Sequence, residues 1–376
     1  MGNRPTVGVN DMGVNWRKKS VVAFKIGLCT MMIGWGIVTD GPKKMASAAV
    51  GNSAVPALAA SASHSMSLSS DGTFRVWGNN EDKQLGIAGP VSSMRIPKLM
   101  NMGEVSFITT GVFHSAIVKT NGELWVLGRN DAGQLGLTPS SSDSLPMRVE
   151  GIGGVKSAAA GLEYTLALKG NGEVWEMGHN QFDFTAGRTS STHLQLVPGL
   201  PADVDTVAAG FYSSFAIADG NLYAWGLNLG GQLGDGTNTN RQFPITVPIS
   251  GVKAVGASGH HAVALKEDGT VWAWGSNSCG QLGNGTITSS KLPIQVPGLS
   301  GITSIAVGFY HNLALGSDGR VHAWGCYPLG LDSEKVAPNS PASLVPLNDV
   351  IAIAAGNVHS LAMTSDGTVW GWGLST

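Results

Sequence analysis

The chain repeats itself seven times. The units are counted by the Gly that ends a tryptophan-bearing run: Gly78, Gly128, Gly178, Gly226, Gly275, Gly325 and Gly373, each 48 to 50 residues after the last. A period near fifty held over seven copies marks a repeat architecture, in which each unit buries its apolar faces only against its neighbours. One closed array can therefore hold most of the 376 residues, where length alone would suggest two or three domains.

Residues 253–298 show what is repeated. Two apolar runs, Ala262–Lys266 and Thr270–Trp274, flank Asp268-Gly269. An Asx-Gly pair between strand-like runs predicts a hairpin with both central residues at positive φ. The pair recurs as Asp71-Gly72, Asn121-Gly122, Asn171-Gly172, Asp219-Gly220, Asp318-Gly319 and Asp366-Gly367. The second run is apolar on both faces, Val271 and Ala273 on one and Trp272 and Trp274 on the other. A strand covered on both faces lies between two other layers, as in a β-propeller whose blades each pack on two neighbours. Trp77, Trp225, Trp274, Trp324 and Trp372 share this structural position. Asn277, with Asn80, Asn130, Asn180 and Asn228 at the same place, is expected to hold a turn through its side chain. Gly280-Gln281-Leu282-Gly283 then returns the chain, with Leu282 plugging the blade edge, and Ile294–Gly298 supplies a short outer strand. The all-β reading is thus a seven-bladed propeller over residues 49–376. An N-terminal strand at Val55-Pro56, the spare copy of the Val-Pro segment, completes the last blade and closes the ring.

Residues 1–48 do not fit the repeat. Arg17, Lys18 and Lys19 precede the apolar stretch Ser20–Val38, and Ala46-Ser47-Ala48 fits a cleavage site. The segment reads as a signal peptide or an N-terminal membrane anchor plus linker, which places the repeats outside the cytoplasm, secreted or in the cell envelope. Leu28 before Cys29 argues against a lipoprotein site. Lys plus Arg number 23 against 25 Asp plus Glu, and no repeat carries a basic stripe, so nucleic acid is not an expected partner. The repeats hold two cysteines, Cys279 and Cys326, at different repeat positions; they read as free structural thiols.

The unit AxAAGxxHSLALxxDGxVWxWGxNxxGQLGxGT…PxxVPGL is matched by Gly356–Gly373 and Glu267–Thr286. It resembles the repeat of the chromosome-condensation regulator family, called RCC1-like, from about residue 54 onward. The resemblance implies a seven-bladed β-propeller. No Trp-Asp dipeptide and no recurring Gly-Gly pair point to the other propeller families of similar period. Two units depart from the pattern: unit three has Gln181–Gly187 in place of the Gly-Gln-Leu-Gly loop, and unit six has Cys326-Tyr327-Pro328-Leu329-Gly330.

His64, His114, His261, His311 and His359 share one repeat position, filled elsewhere by Tyr164 and Ser213. A catalytic constellation needs unlike groups in unlike roles, so a residue recurring in five blades reads as structural, with a metal ring as the residual alternative. No nucleophile elbow, phosphate-binding loop or HExxH motif occurs, so no catalytic residue and no cofactor are expected. The informative positions are the two before each His: Ala62-Ser63, Val112-Phe113, Leu162-Glu163, Phe211-Tyr212, Gly259-His260, Phe309-Tyr310 and Asn357-Val358. They vary while their flanks do not, and several are large aromatics. Two readings stand: a partner-binding rim formed by Phe113, Leu162, Glu163, Phe211, Tyr212, His260, Phe309 and Tyr310, or aromatics that plug the ring mouth against one another. In the family's nuclear member, a guanine-nucleotide exchange factor, acidic and His side chains of such loops meet the GTPase; here Glu163 and His260 are the only such residues. The sequence reading is a monomeric, non-enzymatic propeller that binds a protein through one rim. Exchange on a small GTPase and a surface or carbohydrate-binding module are its alternatives.

Overall fold

The structure is a computed structural model, describing residues 22–25, 57–69, 72–138, 144–179, 191–326 and 342–373. Those residues form seven four-stranded antiparallel sheets, one per repeat, and neighbouring sheets pack face to face around a common axis. In blade five the order from the axis outward is Val252–Ala257, His261–Lys266, Val271–Gly275 and Ser290–Gln295. Seven inner strands converge on the axis, which explains their small residues. A Cβ on Gly256, for example, would stand 2.7 Å from Val307 of the next blade.

The seam between blades is the core. Val263, Leu265, Val271, Ala273, Leu282 and Val296 of blade five pack with Ile305, Ala314 and Trp324 of blade six. Trp225, Trp274 and Trp324 are fully buried, whereas Trp77 and Trp372 are half-buried. In blades one, two, four and five the loop after the third strand reaches one blade forward. The Gln281 carbonyl accepts from Trp324 Nε1 at 3.0 Å, and the Gln232 carbonyl accepts from Trp274 Nε1 at 2.8 Å. The last Gly of each such loop lies against that forward residue: a Cβ on Gly283 would meet Trp324 Cδ1 at 2.8 Å.

Asn277 holds this loop from its centre. Its Nδ2 donates to the carbonyls of Thr286 (2.9 Å) and Thr288 (3.0 Å), and its Oδ1 accepts from Leu282 N–H at 2.8 Å. Asn80 and Asn228 make the same set, and Asn130 makes its counterparts to Thr138 and Leu135. Asn180 lies outside the described residues. Changing Asn277→Ala strips three buried or half-buried backbone groups of their partner. A loss of about 2–3 kcal/mol in urea unfolding is expected; a loss below about 0.5 kcal/mol would show that water replaces the carboxamide.

Three expectations need correction. The hairpin turns are three-residue loops in most blades, because Glu267 or its counterpart adds a residue ahead of the Asx-Gly pair. Gly269 alone takes positive φ (+78°), closing a turn in which its N–H bonds Lys266 O at 3.0 Å. The Asx side chain instead accepts the N–H two residues on, as from Thr270 to Asp268 Oδ1 at 3.0 Å. Blade four keeps the two-residue turn, and there both Asp219 (φ 47°) and Gly220 (φ 69°) are left-handed. Asp71 lies outside the described residues.

The ring is closed by an N-terminal strand, but from another segment. Val22–Lys25 pairs antiparallel with Thr368–Gly371 as the outer strand of blade seven. Val55-Pro56 lies outside the described residues, and Ala57–Ala60 immediately after it is the inner strand of blade one. Inner and outer strands of a blade are three strand spacings apart, about 14 Å, and the outer place of blade seven that Val55-Pro56 was expected to fill is taken by Val22–Lys25. The rest of residues 1–48, the unit-three loop Gln181–Gly187 and residues Tyr327–Gly330 also lie outside the described residues.

The cysteines are not free. Cys279 and Cys326 form a disulfide with their Cα atoms 5.2 Å apart. Cys279 belongs to the forward-reaching loop of blade five and Cys326 follows the third strand of blade six. Forward docking therefore brings unlike repeat positions together.

Candidate functional site

The rim is the set of loops joining inner and second strands. Backbone hydrogen bonds fix its two variable positions differently. The first donates its N–H to the next blade: Val112 to Gly161 O (3.2 Å), Leu162 to Phe211 O (3.0 Å), Phe211 to Ser258 O (3.4 Å), and Asn357 to Ser61 O (3.0 Å) across the closing seam. The carbonyl of the second accepts from the residue after its own blade's third strand, as His260 O does from Ser276 at 2.9 Å and Tyr310 O from Cys326 at 2.8 Å. Ala62, Val112, Phe211, Phe309 and Asn357 of the first set line the mouth of the axial cavity. His260 and Tyr310 of the second set are exposed, and Phe113, Glu163 and Tyr212 are half-buried.

Beneath the rim runs a ring of side chains, His64, His114, His261 and His311 buried and His359 half-buried. His64 Nε2 lies 2.8 Å from Ser115 Oγ, His114 Nε2 2.8 Å from Thr165 Oγ1, and His261 Nε2 2.7 Å from Asn312 Oδ1. His311 Nε2 lies 2.8 Å from Ser360 Oγ, and His359 Nε2 reaches Ser65 Oγ of blade one at 2.9 Å. Each bond crosses to the following blade. Ser115 and Thr165 spend their hydroxyl protons on the carbonyls of Gln84 and Gln134, both at 2.9 Å, and Asn312 Oδ1 can only accept. Nε2 therefore carries the proton in these three imidazoles, and the rings are neutral donors. Burial lowers all five: His64 and His311 to about 3, and His114, His261 and His359 to about 4. Tyr164 takes the role in blade three, donating to Ser213 O at 2.8 Å. Among the described residues no cluster of three His, Cys, Asp or Glu is placed to hold a metal. The His positions are inter-blade staples.

The rim itself divides in two. On blades four to six, Phe211 and Phe309 meet at 5.1 Å above Gly259, where a Cβ would come within 3.2 Å of each ring. Gly259 was one of the variable positions, and its lack of a side chain is what lets both phenyl groups share the mouth. Phe309 packs edge-on with Tyr310 at 4.3 Å and with His260 at 5.7 Å. Leu229, 65% exposed, precedes Gly230, which faces the His260 carbonyl. Phe211 and Phe309 thus plug the mouth as one reading expected, while Tyr310 and His260 stand on its outer side.

Blades two and three carry the polar half, which meets Tyr212 of blade four. Tyr212 Oη donates to Glu163 Oε2 at 3.3 Å, and burial beside that carboxylate pushes the phenol up to about 12. Arg129 lies over the Phe113 ring at 4.9 Å and donates from Nε to Asp131 at 2.7 Å. That bond holds the guanidinium above its usual range, with Asp82 and Glu163 adding charge. Leu162 is half-buried between the halves. Sequence reasoning missed Leu229, Arg129 and the disulfide beside Tyr310, because none stands at a rim position of its own repeat.

Comparison with known proteins supports the architecture. No curated protein sequence matches the chain. A structure of human WBSCR16 superposes with a TM-score of 0.73 at 21% identity, covering 80% of this chain and 87% of that one. Prp20p from Saccharomyces cerevisiae, described with its binding properties to Gsp1p and histones, gives 0.71 at 19% identity, covering 85% and 82%. Yeast RCC1 (Prp20) bound to Kap60 gives 0.70 at 22% identity, covering 89% and 85%. These likenesses establish a shared fold. The family model of the RCC1-like domain matches residues 26–330, and that of the regulator of chromosome condensation (RCC1) repeat matches residues 350–376. The two matches take in the repeats counted from the sequence, and the chain belongs to the RCC1-like family.

Proposed function

We propose that this propeller is a non-enzymatic scaffold that grips a protein partner on the rim formed by the inner loops. The observation that carries the reading is the contiguous set on blades four to six, where Tyr310 (42% exposed), His260 and Leu229 flank Phe309, Phe211 and Tyr212. Large aromatics concentrate binding energy at interfaces. The other exposed apolar residues, such as Ile96, Phe243 and Leu292, are scattered around the outer strands and need no partner. The protein acts as a monomer outside the cytoplasm. The Cys279–Cys326 disulfide supports that address, since disulfides persist in oxidising compartments; the apolar N-terminal stretch does not, because Val22–Lys25 within it is the outer strand of blade seven.

The test installs a photo-crosslinker at Tyr310, captures the partner, and measures its affinity for a Tyr212→Ala/Tyr310→Ala variant. Binding is expected to weaken by about 100-fold while unfolding free energy changes by under about 1 kcal/mol. Intact binding with a loss of several kcal/mol would make the aromatics core residues. A small GTPase is the second reading for the partner, favoured by the likeness to Prp20p. It requires that the propeller accelerate release of labelled GDP.

A further inference from the structure

We propose that the Cys279–Cys326 disulfide is a redox latch on the aromatic half of the rim, fixing the Phe309-Tyr310 loop when closed and releasing it when a dithiol opens it. The bond stands where the sequence lacks the Asn of the repeat. In blades one, two, four and five an Asn two residues after the third-strand Gly holds the following loop; in unit six Tyr327 occupies that place in the sequence. The chain leaving blade six is instead tied sideways to blade five.

The tie reaches the rim from both sides. Cys326 N–H donates to Tyr310 O at 2.8 Å. Cys279 N–H donates to Gln281 Oε1 at 2.8 Å, and the Gln281 carbonyl accepts Asn312 Nδ2 at 2.8 Å, two residues past Tyr310. One covalent bond therefore joins the two hydrogen-bonded paths that hold the loop, and Asn312 also accepts His261 Nε2 from blade five. Both cysteines are half-buried, within reach of a small dithiol. Opening is thiol–disulfide exchange. A dithiol thiolate attacks one sulfur, the Sγ–Sγ bond breaks, and a mixed disulfide forms. The second thiol of the reagent then displaces the remaining cysteine. The protein gains two electrons and two protons as two thiols, and the dithiol leaves as a disulfide.

The experiment is hydrogen exchange on the full chain, oxidised and after dithiothreitol. Exchange at Phe309–Asn312 and Ser276–Gly283 is expected to rise at least about tenfold, with the equivalent blade-two loop Val112–Ser115 unchanged and protection restored by oxidised glutathione. The melting temperature should fall by about 5–10 °C for a closed loop of this length. Equal protection in both forms, an equal rise in both loops, or a bond that resists dithiothreitol in the folded protein overturns the proposal. A Cys279→Ser/Cys326→Ser variant gives the open state without reductant and should match the reduced wild type. Failure of both to fold would also overturn it, because the bond would then be a condition of folding. The readouts need no partner, so the outcome is separate from whether the rim binds one.

Discussion

Between pH 6.5 and 4 the propeller is expected to unfold, and the five histidines that staple its blades are the reason. His64, His114, His261, His311 and His359 are neutral staples held to about 3 or 4 by burial, against 6.5 when unfolded. Their folded values are depressed, so in this window the unfolded chain binds more protons. The stability they contribute is complete above pH 6.5 and is lost as pH falls toward 3. At pH 5 each histidine lies 1.5 units below its unfolded value, about 2 kcal/mol. Five acting together approach about 10 kcal/mol, comparable to the whole stability of a typical domain. Charging one ring also raises the field at the next, since His64 faces both His114 and His359. Circular dichroism melts from pH 7.5 to 4 should show a steep fall in melting temperature beginning near pH 6.5. A His261→Gln variant keeps an N–H for Asn312 but does not titrate, so its curve should be flatter by about 2 kcal/mol at pH 5. A melting temperature constant from pH 7 to 5 would mean that the folded rings are solvated.

These residues also show why so much was legible. Much that recurs every fifty residues was legible: a hairpin at each Asx-Gly pair, though not its turn geometry, the Asn at the loop centre, the strand tryptophans, and the His position as a repeated structural group. What was missed is what does not recur, or recurs out of phase. Val22–Lys25 has no counterpart spacing, since the outer strand of blade seven comes from the far end of the chain. Val55 stands six residues before Ser61, as Val105, Val155 and Val252 stand before Gly111, Gly161 and Ser258. That count heads an inner strand, and the Val-Pro resemblance hid it. The disulfide needed one further fact, that the loop of blade five docks one blade forward. Cys279 sits two residues before the Gln whose carbonyl receives Trp324, and Cys326 two residues after that Trp. The two halves of the rim were invisible for the same reason. Gly259 looked like an empty position, and only the convergence of Phe211 and Phe309 shows what its emptiness admits.

Forward docking makes a second strong demand on the equivalent tryptophans, which a sequence reading treats alike. Trp274→Ala should cost about 3–5 kcal/mol, and the Gln232 carbonyl left without its Nε1 donor should add about 1 kcal/mol more. Trp274 is completely enclosed, with Phe215 edge-on at 6.4 Å and Gly234 pressed against the indole. Trp77 stands at the same repeat position, but the loop that would cover it has to come from the unit before it around the ring, after Gly373. Among the described residues no such loop reaches it, and the indole is half-buried. Its truncation should cost only about 1–2 kcal/mol. Urea unfolding of the two variants, read by a signal common to both, separates the outcomes. A twofold or larger gap means that the covering loop of the preceding blade, and not the tryptophan itself, sets the strength of each seam. Equal losses would locate that strength within the blade, and the forward-reaching loops would then be ornaments on a ring held together by its inner strands.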